Sequence, residues 1–249
     1  MVPALDSSLS TPKAMATRQL ILGQALKFAR TNGLEALTIG GVASITGLSK
    51  SAVFAHVRSK VALQIAVIEA YDHLVTTEVI GSFVDDAPIV PQILALFERW
   101  CRWTQAQDGG CLYISGAAEF DDRPGPVRDR LLKSVRQWQG GFRKLLKASV
   151  KRGELDPNSD LERLTGRIQG IMLLAHYEWR FLGKRTALRD ARMSISELFI
   201  SGESADVTNN NRKENDCNFN VISSRSFNYL FGVNSSVDPA DISNVTRTL

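Results

Sequence analysis

The chain has 249 residues, of which 44% are hydrophobic and 22% are charged, so its composition excludes a wholly disordered protein. Its longest apolar runs fall far short of the roughly 20 residues that a membrane-spanning helix needs. Its start lacks the basic-then-apolar layout of a signal peptide. We therefore expect a cytoplasmic protein without a membrane partner.

The formal net charge of +4 is concentrated at the N-terminal end, because the chain up to Ile65 carries seven basic and two acidic side chains. A basic end on a near-neutral body is typical of proteins that bind polyanions. A basic solvated face is also common in proteins with other functions. The charge alone therefore leaves both interpretations open.

Residues 1–14 are rich in Ser, Thr and Pro without any periodicity, which predicts a flexible arm. From Thr17 onward, apolar residues recur at steps of three and four until Asn32 and Gly33, where a helix naturally stops. The N-terminal domain is therefore predicted to span residues 15–75 and to begin with one amphipathic helix.

Two short helices and a long one are predicted next. Thr38 can cap the first of these, and Gly47 suits the tight turn that follows it because glycine tolerates a positive φ. Ser49 can cap a helix over Lys50–His56, and Ser59 can start a long helix with one apolar stripe. A short helix, a turn and another short helix form the helix-turn-helix layout.

The helix Lys50–His56 is the predicted reading helix. A helix fits the major groove only if its leading face carries slim or hydrogen-bonding side chains, which Ser51, Ala52 and Ala55 provide. Basic groups flank them, where they can meet phosphates. The same basic head suits an acidic protein partner, which is the alternative to DNA.

These residues resemble the DNA-binding domain of the tetracycline-repressor (TetR) family over residues 17–74. The matching positions are Thr38-Ile39, Val42-Ala43, Gly47-Leu48-Ser49-Lys50-Ser51, Phe54, His56, Ser59-Lys60 and Leu63. The resemblance implies that Thr38 and Lys60 hold phosphates. It also implies that four residues line the major groove, namely Ser49, Lys50, Ser51 and Ala52. Phe54 and His56 would lie against the DNA backbone.

Three features depart from the family pattern. Phe54 stands where tyrosine is usual, so the hydroxyl that would reach a phosphate is missing. Gly40 and Gly41 lie inside the short second helix, where each glycine costs roughly 1 kcal/mol relative to alanine. Val57 replaces the usual phenylalanine and is a smaller apolar plug.

Residues 76–200 are predicted to be an effector-binding and dimerisation domain. Helical periodicity continues without strand-length alternation, which predicts an all-α fold with a C-terminal helical bundle. Residues 109–128 resemble the ligand domain of one TetR subset. That resemblance implies a homodimer through residues 161–199, although these helices can also complete the core of one subunit. A dimer suits a palindromic double-stranded DNA operator with half-sites about one turn apart.

The second domain is rich in large aromatic residues, which suits a pocket for a small apolar or aromatic effector. The alternative is that they are core residues. The candidates are Trp100, Trp103, Tyr113, Phe120, Trp138, Phe142 and Tyr177. No catalytic, cofactor or metal pattern is found, so a helical enzyme is the weaker alternative. Residues 201–249 lose the helical periodicity and are predicted to be a disordered tail.

Overall fold

The computed structural model describes residues 11–81 and 87–200, and within these ranges all regular elements are helices. The predicted all-α fold class is confirmed. The helices are α1 (Pro12–Asn32), α2 (Ile39–Thr46), α3 (Lys50–Val57), α4 (Lys60–Leu74), α5 (Ile89–Ala106), α6 (Leu112–Phe120), α7 (Pro126–Lys151), α8 (Leu161–Arg180) and α9 (Ala187–Ile200), and a π-helix over Val75–Ile80 continues α4.

Helix α1 begins at Pro12, inside the stretch that the sequence predicts to be a flexible arm. The Thr11 side chain accepts a hydrogen bond from the Ala14 backbone N–H, and proline is favoured in the first helical turn because it needs no N–H partner there. The rest of the predicted arm, residues 1–10, and the predicted tail, residues 201–249, lie outside the described residues.

The described residues divide into two compact units. The first contains residues 11–77 and 104–136, so α6 and the first part of α7 pack with the N-terminal helices. The sequence pattern instead predicts a single domain over residues 76–200. Packing between residues 11–77 and residues 104–136 produces the first unit. Both segments contribute buried apolar residues to it, among them Ile21, Leu34, Leu63, Val67, Tyr71, Leu112, Phe120 and Leu131.

The last turn of α6 and the loop before α6 hold the end of α1 and the turn that follows it. The Glu119 carboxylate accepts hydrogen bonds from the backbone N–H groups of Leu34 and Glu35, at 3.2 and 2.9 Å. Just before α6, the Gly110 N–H donates to the Arg30 carbonyl at 3.1 Å. These contacts orient the chain segment that leads into α2.

The second unit contains residues 78–81, 87–103 and 137–200, within the described ranges. Helices α8 and α9 pack against each other there. Its buried apolar residues include Ile93, Leu96, Phe97, Trp100, Phe142, Leu146, Ile168 and Ile195.

In the described part of the chain, no single helix has the length and apolar character to cross a membrane. Helix α3 together with the segment Lys60–Ile80 passes that test as a pair bent by 66°. Side chains of this pair, such as Val53 and Val67, are buried in the protein core. Burial in the core accounts for their apolar character.

Candidate nucleic-acid interface

Helices α2, α3 and α4 each begin with a hydroxyl cap. The side chains of Thr38, Ser49 and Ser59 accept hydrogen bonds from the N–H groups three residues later, at distances of 2.9 to 3.1 Å. Gly47 ends α2 with φ 70° and ψ 14°, a left-handed conformation that glycine adopts without steric cost. The predicted helix-turn-helix is therefore formed by local capping and one turn glycine.

Helix α3 has a buried side and an outward side. Val53 and Val57 are buried at 0% and 4% exposure, and they fix the rotation of the helix. The outward side carries the groove-lining residues predicted from the sequence, since Ser49, Lys50 and Ser51 are exposed and Ala52 is half-buried. Its slim side chains leave the backbone accessible to a partner.

The C-terminal end of α3 is held by α1. The Arg18 guanidinium donates to the His56 carbonyl at 2.7 Å. His56 itself is half-buried, and its Nδ1 is buried without a hydrogen-bond partner among the described residues. Arg58 follows the helix with φ 61°, a left-handed value that is unusual for a residue other than glycine. Backbone strain is therefore localised between α3 and α4.

Lys60 forms an ion pair with Glu35, which lies in the turn between α1 and α2. Its Nζ donates to the backbone carbonyl and to Oε1 of Glu35, at 2.7 and 2.8 Å. The hydrogen bond from Lys60 is the main reason that the pKa of Glu35 lies below its usual range. The Glu35 carboxylate therefore remains ionised at neutral pH. Arg123 lies 3.8 Å from the same carboxylate.

Glu35 is not among the site residues predicted from the sequence. Its one signal is that it is an isolated acidic residue in a strongly basic segment. The partner at position 60 lies 25 residues away, so periodicity could not reveal the pair. Lys60 would have to exchange this carboxylate for a phosphate when it binds a nucleic acid.

A polar cluster that the sequence does not predict supports the end of α4. We name Asp72, Tyr113, Arg130 and Ser134 the Asp72 cluster. The Asp72 carboxylate accepts hydrogen bonds from the Tyr113 hydroxyl at 2.7 Å, from the Ser134 hydroxyl at 3.0 Å and from the Arg130 guanidinium. Burial and the Asp72 charge raise the pKa of Tyr113, so the phenol stays neutral and donates.

Four of the predicted effector-pocket residues lie buried in the second unit: Trp100, Trp103, Trp138 and Phe142. Trp138 and Phe142 meet edge to face with ring centroids 5.2 Å apart. The Trp138 indole N–H donates to Gln169 Oε1 at 3.1 Å. The Gln169 Nε2 is buried without a hydrogen-bond partner among the described residues.

The other three predicted pocket residues lie elsewhere. Tyr113 and Phe120 belong to the first unit, where Tyr113 packs edge to face on Tyr71. Tyr177 is 50% exposed on α8 and stacks on Phe181. The structure thus groups Trp138 with Phe142 and does not gather all seven aromatic residues around one cavity within either unit.

The second unit also contains an open cavity of about 910 Å³. It lies between the start of α5, the loop joining α7 and α8, and the end of α9, and its lining includes Ile89, Leu155, Arg163 and Phe199. None of the seven predicted aromatic residues lines it. Nor do the described residues contain a group of three or more His, Cys, Asp or Glu side chains placed to hold a metal ion.

Helices α8 and α9 expose a large apolar surface. Leu173, Leu174, Phe181 and Leu182 are 51–76% exposed on and just after α8, and Met193 is 54% exposed on α9. Several large apolar side chains left exposed on two helices that pack together favour an interaction site here. Gly170 adds a shallow depression on this face, lined also by Ile171 and Leu174.

Comparisons with known proteins agree with this arrangement. Residues 90–195 match the family model described as "Tetracyclin repressor-like, C-terminal domain". The transcriptional regulator AcuR of Cereibacter sphaeroides is 24% identical over 176 residues, which cover 68% of this chain and 80% of AcuR. The match thus extends over most of both proteins.

Solved structures show the same fold. A TetR transcriptional regulator from Chloroflexus aurantiacus superposes with a TM-score of 0.68 at 24% identity, covering 76% of this chain and 97% of that one. AibR, solved in complex with isovaleryl coenzyme A and operator DNA, has a TM-score of 0.58 at 16% identity, covering 73% of this chain and 96% of AibR. The capped helix-turn-helix, the helical C-terminal region and these matches together support a regulator of the TetR family.

Proposed function

We propose that this chain is a transcriptional repressor that binds a palindromic operator as a homodimer and is released by a small-molecule effector. The observation that carries the proposal is that the outward side of α3 exposes slim and basic side chains. The opposite side of the helix is fixed in the core by Val53 and Val57. A transcription regulator of this kind acts in the cytoplasm, where it meets DNA.

The contacts proposed for DNA divide into two kinds. Thr38, at the start of α2, and Lys60, at the start of α4, would hold phosphates and set the register of the protein. Ser49, Lys50, Ser51 and Ala52 would line the major groove and read base edges. Phe54 and His56 lie beside these residues on α3.

The proposed dimer forms through residues 161–199. Exposed apolar side chains on α8 and α9 favour this interface, because leaving them in water costs about 25 cal/mol for each Å² of apolar surface. A two-fold axis would place two reading helices on successive half-sites of one operator.

The proposed effector is apolar or aromatic and binds beside Trp138 and Phe142. Gln169 supports this position, because its buried and unpartnered Nε2 is a donor that a ligand carbonyl or carboxylate would satisfy. Effector binding would tilt α4 and change the spacing of the two reading helices. Release then follows from a difference in DNA affinity between the two arrangements.

The DNA-binding proposal is tested by selecting genomic fragments with the full-length protein and measuring their affinity over a range of salt concentrations. We expect Lys60→Gln to weaken binding to all fragments and to lower the salt slope by about one. Ser51→Ala should instead change which sequence is preferred. Equal effects of both substitutions on every sequence, or failure to retain any fragment at modest salt, would contradict the proposal.

Glu35→Gln serves as the matched control for Lys60→Gln. It removes the carboxylate that pairs with Lys60 while leaving the lysine in place. Its expected effect is an unchanged or higher affinity, because Lys60 no longer has to leave an ionic partner. An acidic protein partner, the alternative to DNA, would leave the selection empty.

The dimer is tested by replacing two exposed apolar residues of the α8 surface. We expect Leu174→Ser with Phe181→Ser to raise the dimer dissociation constant by about tenfold or more, since truncating central apolar interface residues commonly costs over 1 kcal/mol each. Sedimentation over a concentration series measures this. Leu20→Ser, at an exposed leucine of α1, is the control and should leave the dimer unchanged. A monomeric native protein would refute the proposed interface.

A further inference from the structure

Phe54 is the large apolar side chain on the outward part of α3. It is 54% exposed, although Val53 and Val57 on the same helix are buried at 0% and 4%. The rotation of α3 is therefore set by the two valines, and the benzyl ring is left in solvent by that rotation. An apolar partner that covers the exposed part of the ring would remove it from water, which is favourable.

The neighbours of Phe54 leave room for a partner to approach. Ser51 and Ala55 are exposed and slim, so they do not shield the ring from a surface laid against α3. Lys50 lies one turn earlier on the same flank of the helix, with its aliphatic stem beside Gly40. A cation so placed can hold a phosphate while the ring reaches into the groove.

The chemistry of the ring limits what it can contact. Phenylalanine has no donor or acceptor, so it cannot form the hydrogen bond to a phosphate that a tyrosine would form at this position. In the major groove, the apolar group at a base edge is the C5-methyl group of thymine, and phenylalanine is one of the side chains that contact it.

We propose that Phe54 contacts the methyl group of one thymine in each half-site and so determines sequence preference at that position. The inference rests on the proposed function, because it requires that α3 enters the major groove. It assigns Phe54 to base reading, whereas the family resemblance implies a position against the DNA backbone.

The test uses the full-length protein and an operator fragment recovered by selection from genomic DNA. Each thymine is replaced in turn by deoxyuridine, which removes only the methyl group. We expect one position in each half-site to show a loss of affinity of about fourfold, the effect of uncovering one buried methyl group. In Phe54→Ala the same replacement should change the affinity by less than about 1.5-fold, since the partner of the methyl group is absent.

Two further variants test whether the contact requires the aromatic ring. Phe54→Tyr retains the ring and should keep the sensitivity to deoxyuridine, whereas Phe54→Leu, which retains a smaller apolar group, should reduce it. Phe54→Leu also provides the comparison if Phe54→Ala binds too weakly to measure. Circular dichroism melts verify that the variants are folded, as expected for an exposed position.

The outcomes distinguish the two proposals. If no fragment binds, the DNA-binding proposal fails. If fragments bind but every thymine tolerates deoxyuridine, Phe54 contacts no thymine methyl group and the inference is overturned. Sensitivity that persists unchanged in both Phe54→Ala and Phe54→Leu assigns the methyl contact to another residue and also overturns it.

Discussion

Replacing Gly109 by alanine is expected to lower the free energy of unfolding by about 3–5 kcal/mol, which combines backbone strain with steric overlap. Gly109 has φ +84°, and a Cβ atom added there would lie 2.5 Å from the backbone carbon of Arg30. Arg30 lies in the last turn of α1, so its backbone cannot shift alone. The neighbouring hydrogen bond from Gly110 to the Arg30 carbonyl would be lost as well.

Urea unfolding at fixed protein concentration measures this loss, together with a Tm decrease on the order of 10 °C. Gly47→Ala is the matched control, because Gly47 has φ +70° but open space around the added Cβ, so the strain alone should cost about 1 kcal/mol. Gly23→Ala, inside α1 with open space, should be neutral or stabilising. Equal effects of Gly109→Ala and Gly47→Ala would show that the contact with Arg30 is unimportant.

Asp72→Ala is expected to destabilise the protein by about 3 kcal/mol, because it removes the carboxylate that accepts hydrogen bonds from Tyr113, Arg130 and Ser134. The side chains of Asp72 and Arg130 are 21% and 19% exposed, so water replaces the lost contacts poorly. Ser134 is almost fully buried and loses one acceptor, and the Tyr113 hydroxyl loses the carboxylate oxygen at 2.7 Å.

Two variants identify the cause of that loss. Asp72→Asn keeps an oxygen for Tyr113 and should cost less than Asp72→Ala. The double variant Asp72→Leu with Arg130→Met removes both charges and should recover most of the stability, because it leaves no partly buried charge unpaired. Asp122→Ala, at an exposed residue, should change stability by less than about 0.5 kcal/mol. An Asp72→Ala effect as small as this would contradict the structural role of the Asp72 cluster.

The helix-turn-helix formed by α2 and α3 shows how much of a fold the local sequence can predict. The hydroxyl caps at Thr38, Ser49 and Ser59 and the turn at Gly47 act within four residues of themselves, so the sequence pattern alone is sufficient to predict them. The third helix extends to Val57, one residue beyond the prediction, because Val57 turns inward and is buried.

The aromatic residues show where composition is insufficient. The aromatic content predicts that these rings are buried, but it does not predict which rings pack in the same compact unit. Residues 104–136 pack with the N-terminal helices, which separates Tyr113 and Phe120 from Trp138 and Phe142. Tyr177 lies half-exposed on α8, in the apolar surface proposed for dimerisation.

The sequence by itself determined the all-helical architecture, the capped helix-turn-helix and the orientation of α3, because apolar periodicity and capping depend on neighbouring residues. Only the tertiary structure decided that Lys60 pairs with Glu35, that Asp72 binds Tyr113, Arg130 and Ser134, and that Gly109 lies against α1. These contacts join residues 25 to 79 positions apart, from the Lys60–Glu35 pair to the Gly109–Arg30 contact. No local pattern encodes such pairs, because they depend on how complete helices pack.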